Sequence, residues 1–188
     1  MAAAAMHGFV VGSYGWTEGS LGPQPLLSAV KLPFLIGVSA LVASPSYWAA
    51  ASTLGLGREL SQVADALIRA LDVFTRVLVS LSPLLLVFYF STVSYDWAVL
   101  GNGPVFFLAT CAAGGDLAVG LRPLLHRKPR HGAALLFFGV AFVLVAIQLA
   151  WSLRPFVGRP GEPFAFFREQ AFTNAYEALL ALVRASLE

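Results

Sequence analysis

The sequence predicts an all-α integral membrane protein: a bundle of four transmembrane helices, or five if a proline separates two crossings, with an amphipathic interfacial helix and a C-terminal helical tail. Apolar residues fill 58% of the 188 positions and charged residues only 12%, whereas a soluble domain carries about 25% charge. Lipid must cover the apolar surplus. Four uncharged stretches are each about long enough to cross a bilayer, which takes roughly 20 residues: 32–57, 77–95, 97–115 and 133–153.

Composition divides the chain into three regions. Residues 1–25 combine glycines and prolines with a few aromatic side chains, so we expect either a segment at the membrane interface or a flexible, disordered one. Residues 26–153 hold the apolar stretches and form one transmembrane helical domain, since no Ser/Gly linker separates them. Residues 154–188 begin with a Pro/Phe-rich segment and end in a predicted amphipathic helix at 173–187.

The first span is predicted at 26–53, and two of its residues carry information. Lys31 lies in the first turns and can extend its amine toward lipid headgroups. Pro45 lies in the middle and lacks a backbone donor, so it should kink the helix or end it. We favour one kinked span, and the alternative is a span that ends near Ser44 before a shallow segment.

Between residues 58 and 76, charged side chains recur at the spacing of a helix. The charged positions share one face, and leucine and phenylalanine form the opposite stripe. This pattern predicts an amphipathic helix that continues without a break into a second span at 77–93. Its charged face would dock on a membrane surface or a partner, or would be a solvated face with weak ion pairs. The charged residues are Arg58, Asp65, Arg69, Asp72 and Arg76.

The third span is predicted at 97–119 and the fourth at 133–153, with a basic loop at 122–131 between them. The sequence at 101–104, Gly-Asn-Gly-Pro, predicts irregular or re-entrant first turns for the third span. Basic residues concentrate before the second span and after the third. The positive-inside rule therefore predicts both of these loops in the cytoplasm and both termini outside.

Three polar residues within or beside the spans form a candidate intramembrane polar site: Asp116, Asn102 and Gln148. A charge deep in lipid costs several kcal/mol, so Asp116 is a candidate ion or proton site. It also lies close to the basic loop, and the alternative is an interfacial carboxylate that pairs with Arg122. Asn102 and Gln148 are the kind of polar side chains that hold helices together in membranes.

Five basic residues are candidate contacts for lipids or partners: Arg127, Lys128, Arg130, Arg154 and Arg168. The first three lie in the basic loop and could attract anionic headgroups, each worth about 1 kcal/mol near a charged surface. The other two flank the Pro/Phe-rich segment, which we expect to hook over the rim of the bundle. Metal binding by His126 and His131 is not expected, because cations surround them and Pro129 breaks any helix between them.

The sequence contains no metalloprotease, nucleophile-elbow, phosphate-loop or dinucleotide motif. We therefore expect no enzyme, no catalytic residue, no metal and no cofactor. The net charge of +2 argues against nucleic-acid binding. The expected function is a non-enzymatic subunit that scaffolds or regulates a membrane assembly, with lipids, other subunits or further copies as partners. The alternative is a small oligomeric transporter or channel that uses Asp116 and the polar span residues.

The chain resembles a group of uncharacterised bacterial multi-pass membrane proteins. The resemblance rests on 8–15 with 29–33, on 54–57, and above all on Trp-Ser-Leu-Arg-Pro-Phe-Val-Gly at 151–158, continuing through Pro160 and Pro163 to 174–176. It implies a bacterial cytoplasmic membrane location and no established activity. The Lys-Pro start of the first span is also similar to Yip1-type membrane proteins, which act in membrane organisation.

Overall fold

The computed structural model describes residues 1–17, 22–55, 59–92, 94–158 and 166–167. The predicted helix at 173–187, Arg58 and Arg168 lie outside the described residues. Within them the chain is 87% helix and contains no strand. The helices are α1 (Ala2–Gly12), α2 (Tyr14–Thr17), α3 (Gln24–Thr53), α4 (Leu60–Ser91), α5 (Tyr95–Arg127) and α6 (His131–Ser152).

Four of the described helices, α3 to α6, are long and apolar enough to cross a membrane. The all-α class with four candidate spans is therefore confirmed. α3 continues through both Pro33 and Pro45, so this region is one helix and not two. At Pro45 the missing amide would have bonded to the carbonyl oxygen of Leu41. The Ser44 hydroxyl donates to that oxygen instead, at 2.8 Å, which helps the helix to continue.

The amphipathic segment and the second span form one continuous helix, α4, as the sequence predicted. Val63, Ala66 and Ala70 are buried on its inner face, and Leu78 continues that face into the span. The described charged residues of the segment lie on the exposed side of α4: Asp65, Arg69, Asp72 and Arg76.

Two expectations about the third span are wrong. Its start is regular helix through 101–104, and at Gly101 this helix lets the ring of Phe88 on α4 approach the backbone more closely than any Cβ would allow. The helix also continues to Arg127, well into the predicted loop. Leu121 and Leu124 are buried, and this packing extends the helix past Pro123. Only residues 128–130 remain as the turn before α6.

The first residues of the chain form a packed helix, which neither expectation for 1–25 included. α1 lies against both α3 and α4. Its glycines permit the approach: a Cβ on Gly8 would overlap the backbone oxygen of Ser28, and one on Gly12 would lie 2.7 Å from that of Gln24. At each of these two crossings of α1 and α3, only a residue without a Cβ fits. Glycine content here therefore indicates close packing rather than disorder.

The helices alternate in direction, so the bundle has two ends. α3 and α5 end, and α4 and α6 begin, at what we call the turn end. α1 packs at the other end, which we call the α1 end. α3 packs on α1 and α6, while α4 packs on α5 and α1. One apolar core lies at each end: Leu32, Leu78, Tyr89 and Ala109 belong to that of the α1 end, and Tyr47, Val63, Leu121 and Ala134 to that of the turn end.

Candidate functional site: polar contacts at both ends and a charged stripe on α4

At the turn end, four polar side chains form a chain of contacts that joins α3 and α6 to the residues that precede α4 and follow α5. The Tyr47 hydroxyl on α3 lies 2.9 Å from Nδ1 of His131, the first residue of α6. The Nε2 atom of His131 lies 3.6 Å from Oε2 of Glu59, which precedes α4. Lys128 donates to the other carboxylate oxygen of Glu59. We call Tyr47, His131, Glu59 and Lys128 the turn-end relay.

His131 is fully buried within the turn-end relay. If the Tyr47 hydroxyl donates to Nδ1, a neutral ring carries its proton on Nε2, facing the Glu59 carboxylate. The Lys128 hydrogen bond lowers the pKa of Glu59 below its ordinary value, and the positive charge of Lys128 acts in the same direction. An ionised Glu59 is therefore the state that this arrangement stabilises.

Three predicted lipid or partner contacts lie together at the same end. Arg127, Lys128 and Arg130 line a cavity of about 360 Å³ with Leu54, Gly55 and Pro129. The two arginine side chains are exposed, while Lys128 is bonded to Glu59. Gly55 lies where α3 ends and has a φ of 70°, a left-handed conformation that glycine adopts without strain. The cavity is cationic and has the chemistry to accept a phosphate group.

At the α1 end, polar side chains of α3 hold the segment that follows α6. Gln24 donates to the carbonyl oxygen of Pro155 at 2.7 Å, and Ser28 donates to that of Phe156 at 2.5 Å. Lys31 donates to the Pro155 oxygen at 2.8 Å and is fully buried. The amine of Lys31 therefore points into the protein, and the expectation that it extends toward headgroups is wrong.

The described part of the Pro/Phe-rich segment folds back over the α1 end, as the predicted hook would. Val157 and Gly158 are buried, and Phe166 packs against Phe34 of α3. Arg154, a predicted lipid or partner contact, is exposed and lies 5.1 Å from the ring of Trp151. Its guanidinium therefore already makes a cation–π contact within the chain.

A further buried contact at the α1 end fastens α1 to α4. Nδ1 of His7 lies 2.8 Å from the hydroxyl of Ser82, and the His7 ring also packs edge-on against Phe106 of α5. His7 is fully buried, so this interaction is shielded from water.

The three residues of the predicted polar site do not converge. Asn102 donates to the Tyr89 hydroxyl at 2.9 Å and so ties α5 to α4. Asp116 lies about 21 Å further along α5, at a rise of about 1.5 Å per residue. Gln148 lies on α6, which packs on α3. These residues lie at different levels, and we find no shared site for them among the described residues.

The exposed charges of α4 form a stripe that we call the α4 stripe: Asp65, Arg69, Asp72 and Arg76. An Asp72 carboxylate oxygen lies 2.8 Å from the Arg76 guanidinium, and both side chains are more than half exposed. The Arg69 guanidinium lies beside Gly120 of α5, where a Cβ would be 2.9 Å from it. Asp116 is one helical turn from Gly120, on the same face of α5. Asp116 therefore lies nearer to the α4 stripe than to the other polar span residues.

The α4 stripe lies at the same level as an apolar surface of α6. Both helices begin at the turn end, where Glu59 and His131 are in contact. From about 9 to about 20 Å beyond that end, α4 exposes Asp65, Arg69 and Asp72. Over the same rise, α6 exposes Phe137, Val140 and Leu144. One side of the bundle is thus charged at a level where the other side is apolar.

Sequence reasoning missed Tyr47, Glu59, His7 and Gln24, although two signals were present. Tyr47 lies four residues after Ala43 and four before Ala51, so all three share one face of α3, and all three are buried. The second signal is the spacing of Gln24, Ser28 and Lys31, which are four and three residues apart and so share one face of a helix.

Comparison with protein-family models, curated proteins and solved structures found no match to this chain, so the resemblances drawn from its sequence stay predictions.

Proposed function

We propose that this chain is a non-catalytic, multi-pass membrane subunit that scaffolds or regulates a larger membrane assembly. The α4 stripe is the observation that supports this proposal most directly. Charged side chains that face hydrocarbon cost several kcal/mol each. If the exposed apolar face of α6 is immersed in lipid, the α4 stripe at the same level requires a protein or water beside it.

The other buried polar groups support a structural role for the bundle itself. His7 with Ser82, Tyr89 with Asn102, and Tyr47 with His131 each join two different helices. Such contacts are worth about 1 kcal/mol each in membranes and fix which helices are neighbours. A chain that uses its buried polar groups in this way presents a rigid surface to its partners.

We further propose that the turn end faces the cytoplasm of a bacterial cell, with the four spans in its cytoplasmic membrane. Exposed Arg122, Arg127 and Arg130 are concentrated at this end. Lys31, which the sequence alone would count on the opposite side, is enclosed by the protein and is not an exposed flanking charge. The positive-inside rule then favours this orientation.

A small oligomeric channel or transporter is the second candidate, and the position of Asp116 favours it. This carboxylate lies at the level of the α4 stripe and is partly exposed. Several copies could surround a polar passage lined by Asp116. In vesicles that contain the purified protein, Asp116→Asn should then reduce a measured proton or cation flux. An unchanged flux contradicts the role of Asp116 as an ion or proton site.

The scaffold is tested by affinity purification from native membranes in a mild detergent, followed by mass spectrometry and mass determination of the intact complex. A stable set of companions or copies is expected. It should be lost when the α4 stripe is neutralised by Asp65→Asn, Arg69→Gln, Asp72→Asn and Arg76→Gln. It should be kept in the control with Arg127→Gln and Arg130→Gln. A lone monomer in the unaltered protein contradicts the proposal.

A further inference from the structure

We propose that the cavity at the turn end binds the phosphate of an anionic phospholipid, and that Lys128 moves its hydrogen bond from Glu59 to that phosphate when the lipid binds. Glu59 is then a competitor within the protein, which holds Lys128 in the absence of the lipid. This inference needs no partner subunit, so it stands or fails separately from the scaffolding function.

Three cations line the cavity, and only one of them is bonded to a carboxylate. Arg127, Lys128 and Arg130 belong to the lining, with Leu54 and Gly55 opposite in sequence. Both arginine side chains are exposed, and neither forms an ion pair within the part of the chain that the structure describes. A guanidinium group offers forked donors that match the oxygens of a phosphate. The lining is therefore complementary in charge and in hydrogen bonding to a phosphate.

The cavity lies at the level of lipid headgroups, which favours a lipid over a soluble anion. It is formed where α3 and α5 end and α6 begins, at one end of the spans. Trp48 is 63% exposed and lies about 9 Å before Leu54 along α3, on the side of the membrane centre. Tryptophan prefers the boundary between headgroups and hydrocarbon. A lipid phosphate just outside that boundary is level with the cavity.

Lys128 is the residue that joins the cavity to the turn-end relay. It lines the cavity, while its amine donates to one carboxylate oxygen of Glu59. The Lys128 side chain is 43% exposed, whereas that of Glu59 is 21% exposed. Lysine carries its charge on a flexible four-carbon stem, so the amine can turn toward a nearby phosphate without movement of the backbone. Because the phosphate and Glu59 are both negative, they compete for this one amine.

The Glu59 carboxylate has a second contact available when Lys128 leaves it. Oε2 of Glu59 and Nε2 of His131 lie 3.6 Å apart, and both atoms are buried. Neither has a hydrogen-bond partner within the described ranges. A small rotation of the Glu59 side chain brings the two atoms within hydrogen-bond distance. Lipid binding would thus strengthen the contact between the residue that precedes α4 and the first residue of α6.

The competition is tested by titrating the purified protein in neutral detergent with short-chain phosphatidylglycerol, with bound lipids counted by native mass spectrometry. Glu59→Gln should tighten binding about fivefold, since it frees one cation at the cavity. Lys128→Gln should weaken binding, and should do so more strongly when Glu59→Gln is also present. The control is Asp96→Asn, which removes an equal charge at the α1 end and should leave the affinity unchanged.

Unchanged or weaker binding by folded Glu59→Gln overturns the inference, and so do equal losses from Lys128→Gln with and without Glu59→Gln. If Glu59→Gln does not fold, Glu59→Asp replaces it, since a shorter side chain holds Lys128 less well and should give a smaller gain. Inorganic phosphate is the second probe, because it carries the same charge without a lipid tail. Phosphate that displaces phosphatidylglycerol at equal concentration overturns the lipid as the ligand.

Thermal unfolding gives an independent readout of the same competition. By linkage, Glu59→Gln should destabilise the protein less in phosphatidylglycerol than in phosphatidylcholine, because bound anionic lipid has already taken Lys128 from Glu59. Equal destabilisation in the two lipids overturns the transfer of Lys128. A lone monomer that shows the predicted difference would contradict the scaffolding function and leave the lipid site standing.

Discussion

The Tyr47 hydroxyl and Nδ1 of His131 lie 2.9 Å apart, although 84 positions separate them in the chain. Their rings are also nearly parallel, with centroids 6.5 Å apart. The contact joins α3 to the first residue of α6 and fixes the ring that faces Glu59. The contact therefore fixes the position of α3 relative to α6 and to the basic turn that precedes α6.

Replacing Tyr47 by phenylalanine tests this contact. Tyr47→Phe leaves the ring in place and removes the hydroxyl from a buried nitrogen, so the free energy of unfolding should fall by about 1 kcal/mol. Thermal unfolding of the protein in detergent measures the change. Ser52→Ala is the control, since its hydroxyl is exposed and bonds only within α3. Equal stability of Tyr47→Phe and the unaltered protein would show that the hydrogen bond does not hold the helices together.

The Glu59–Lys128 ion pair should make stability depend on pH in the acidic range. The folded pKa of Glu59 is lowered, above all by the hydrogen bond from Lys128. Its stabilising effect is therefore present above the unfolded pKa, about 4.5, and is lost as pH falls through the lowered folded value. Unfolding of the unaltered protein and of Glu59→Gln should differ at neutral pH and converge toward acid. Asp96→Asn is the control, and a difference that persists at the lowest pH contradicts the assignment.

The glycines of α1 should not tolerate a methyl group. A Cβ at Gly8 would overlap a backbone atom of α3, and one at Gly12 would lie 2.7 Å from another, so Gly8→Ala and Gly12→Ala must push the helices apart. We expect each to lower the free energy of unfolding by about 1 to 3 kcal/mol. Gly103→Ala and Gly114→Ala are matched controls, because nothing lies within 4 Å of a Cβ there. Similar losses in both pairs would refute the packing of α1.

The cationic cavity at the turn end should bind anionic lipid. Arg127→Gln and Arg130→Gln should each weaken retention of phosphatidylglycerol about fivefold, since one basic residue near the surface contributes about 1 kcal/mol. Native mass spectrometry of the protein with phosphatidylglycerol or phosphatidylcholine counts the lipids retained. Arg154→Gln, at the opposite end of the bundle, should retain phosphatidylglycerol normally. Binding of inorganic phosphate alone with equal strength would indicate a soluble anion instead of a lipid.

Much of the fold followed from local pattern. Uncharged stretches of span length predicted α3 to α6, and the helical spacing of charges predicted that α4 continues from its amphipathic part into its span. These properties depend on the residue and its near neighbours along one helix. Gly101 and Pro123 show the limit of such reasoning, because residues of other helices pack there: Phe88 lies against Gly101, and the turn-end core encloses Leu121 and Leu124 on either side of Pro123.

The sequence by itself determined that this chain has four apolar helices and a charged face on one of them. Only the tertiary structure decided which side chains meet: Tyr47 with His131, and Lys31 with the carbonyl oxygen of Pro155. It also decided that the charges of α4 lie level with the apolar face of α6. Hydropathy and helical period are local properties, whereas these contacts join residues far apart in the chain, and their positions depend on how the helices pack.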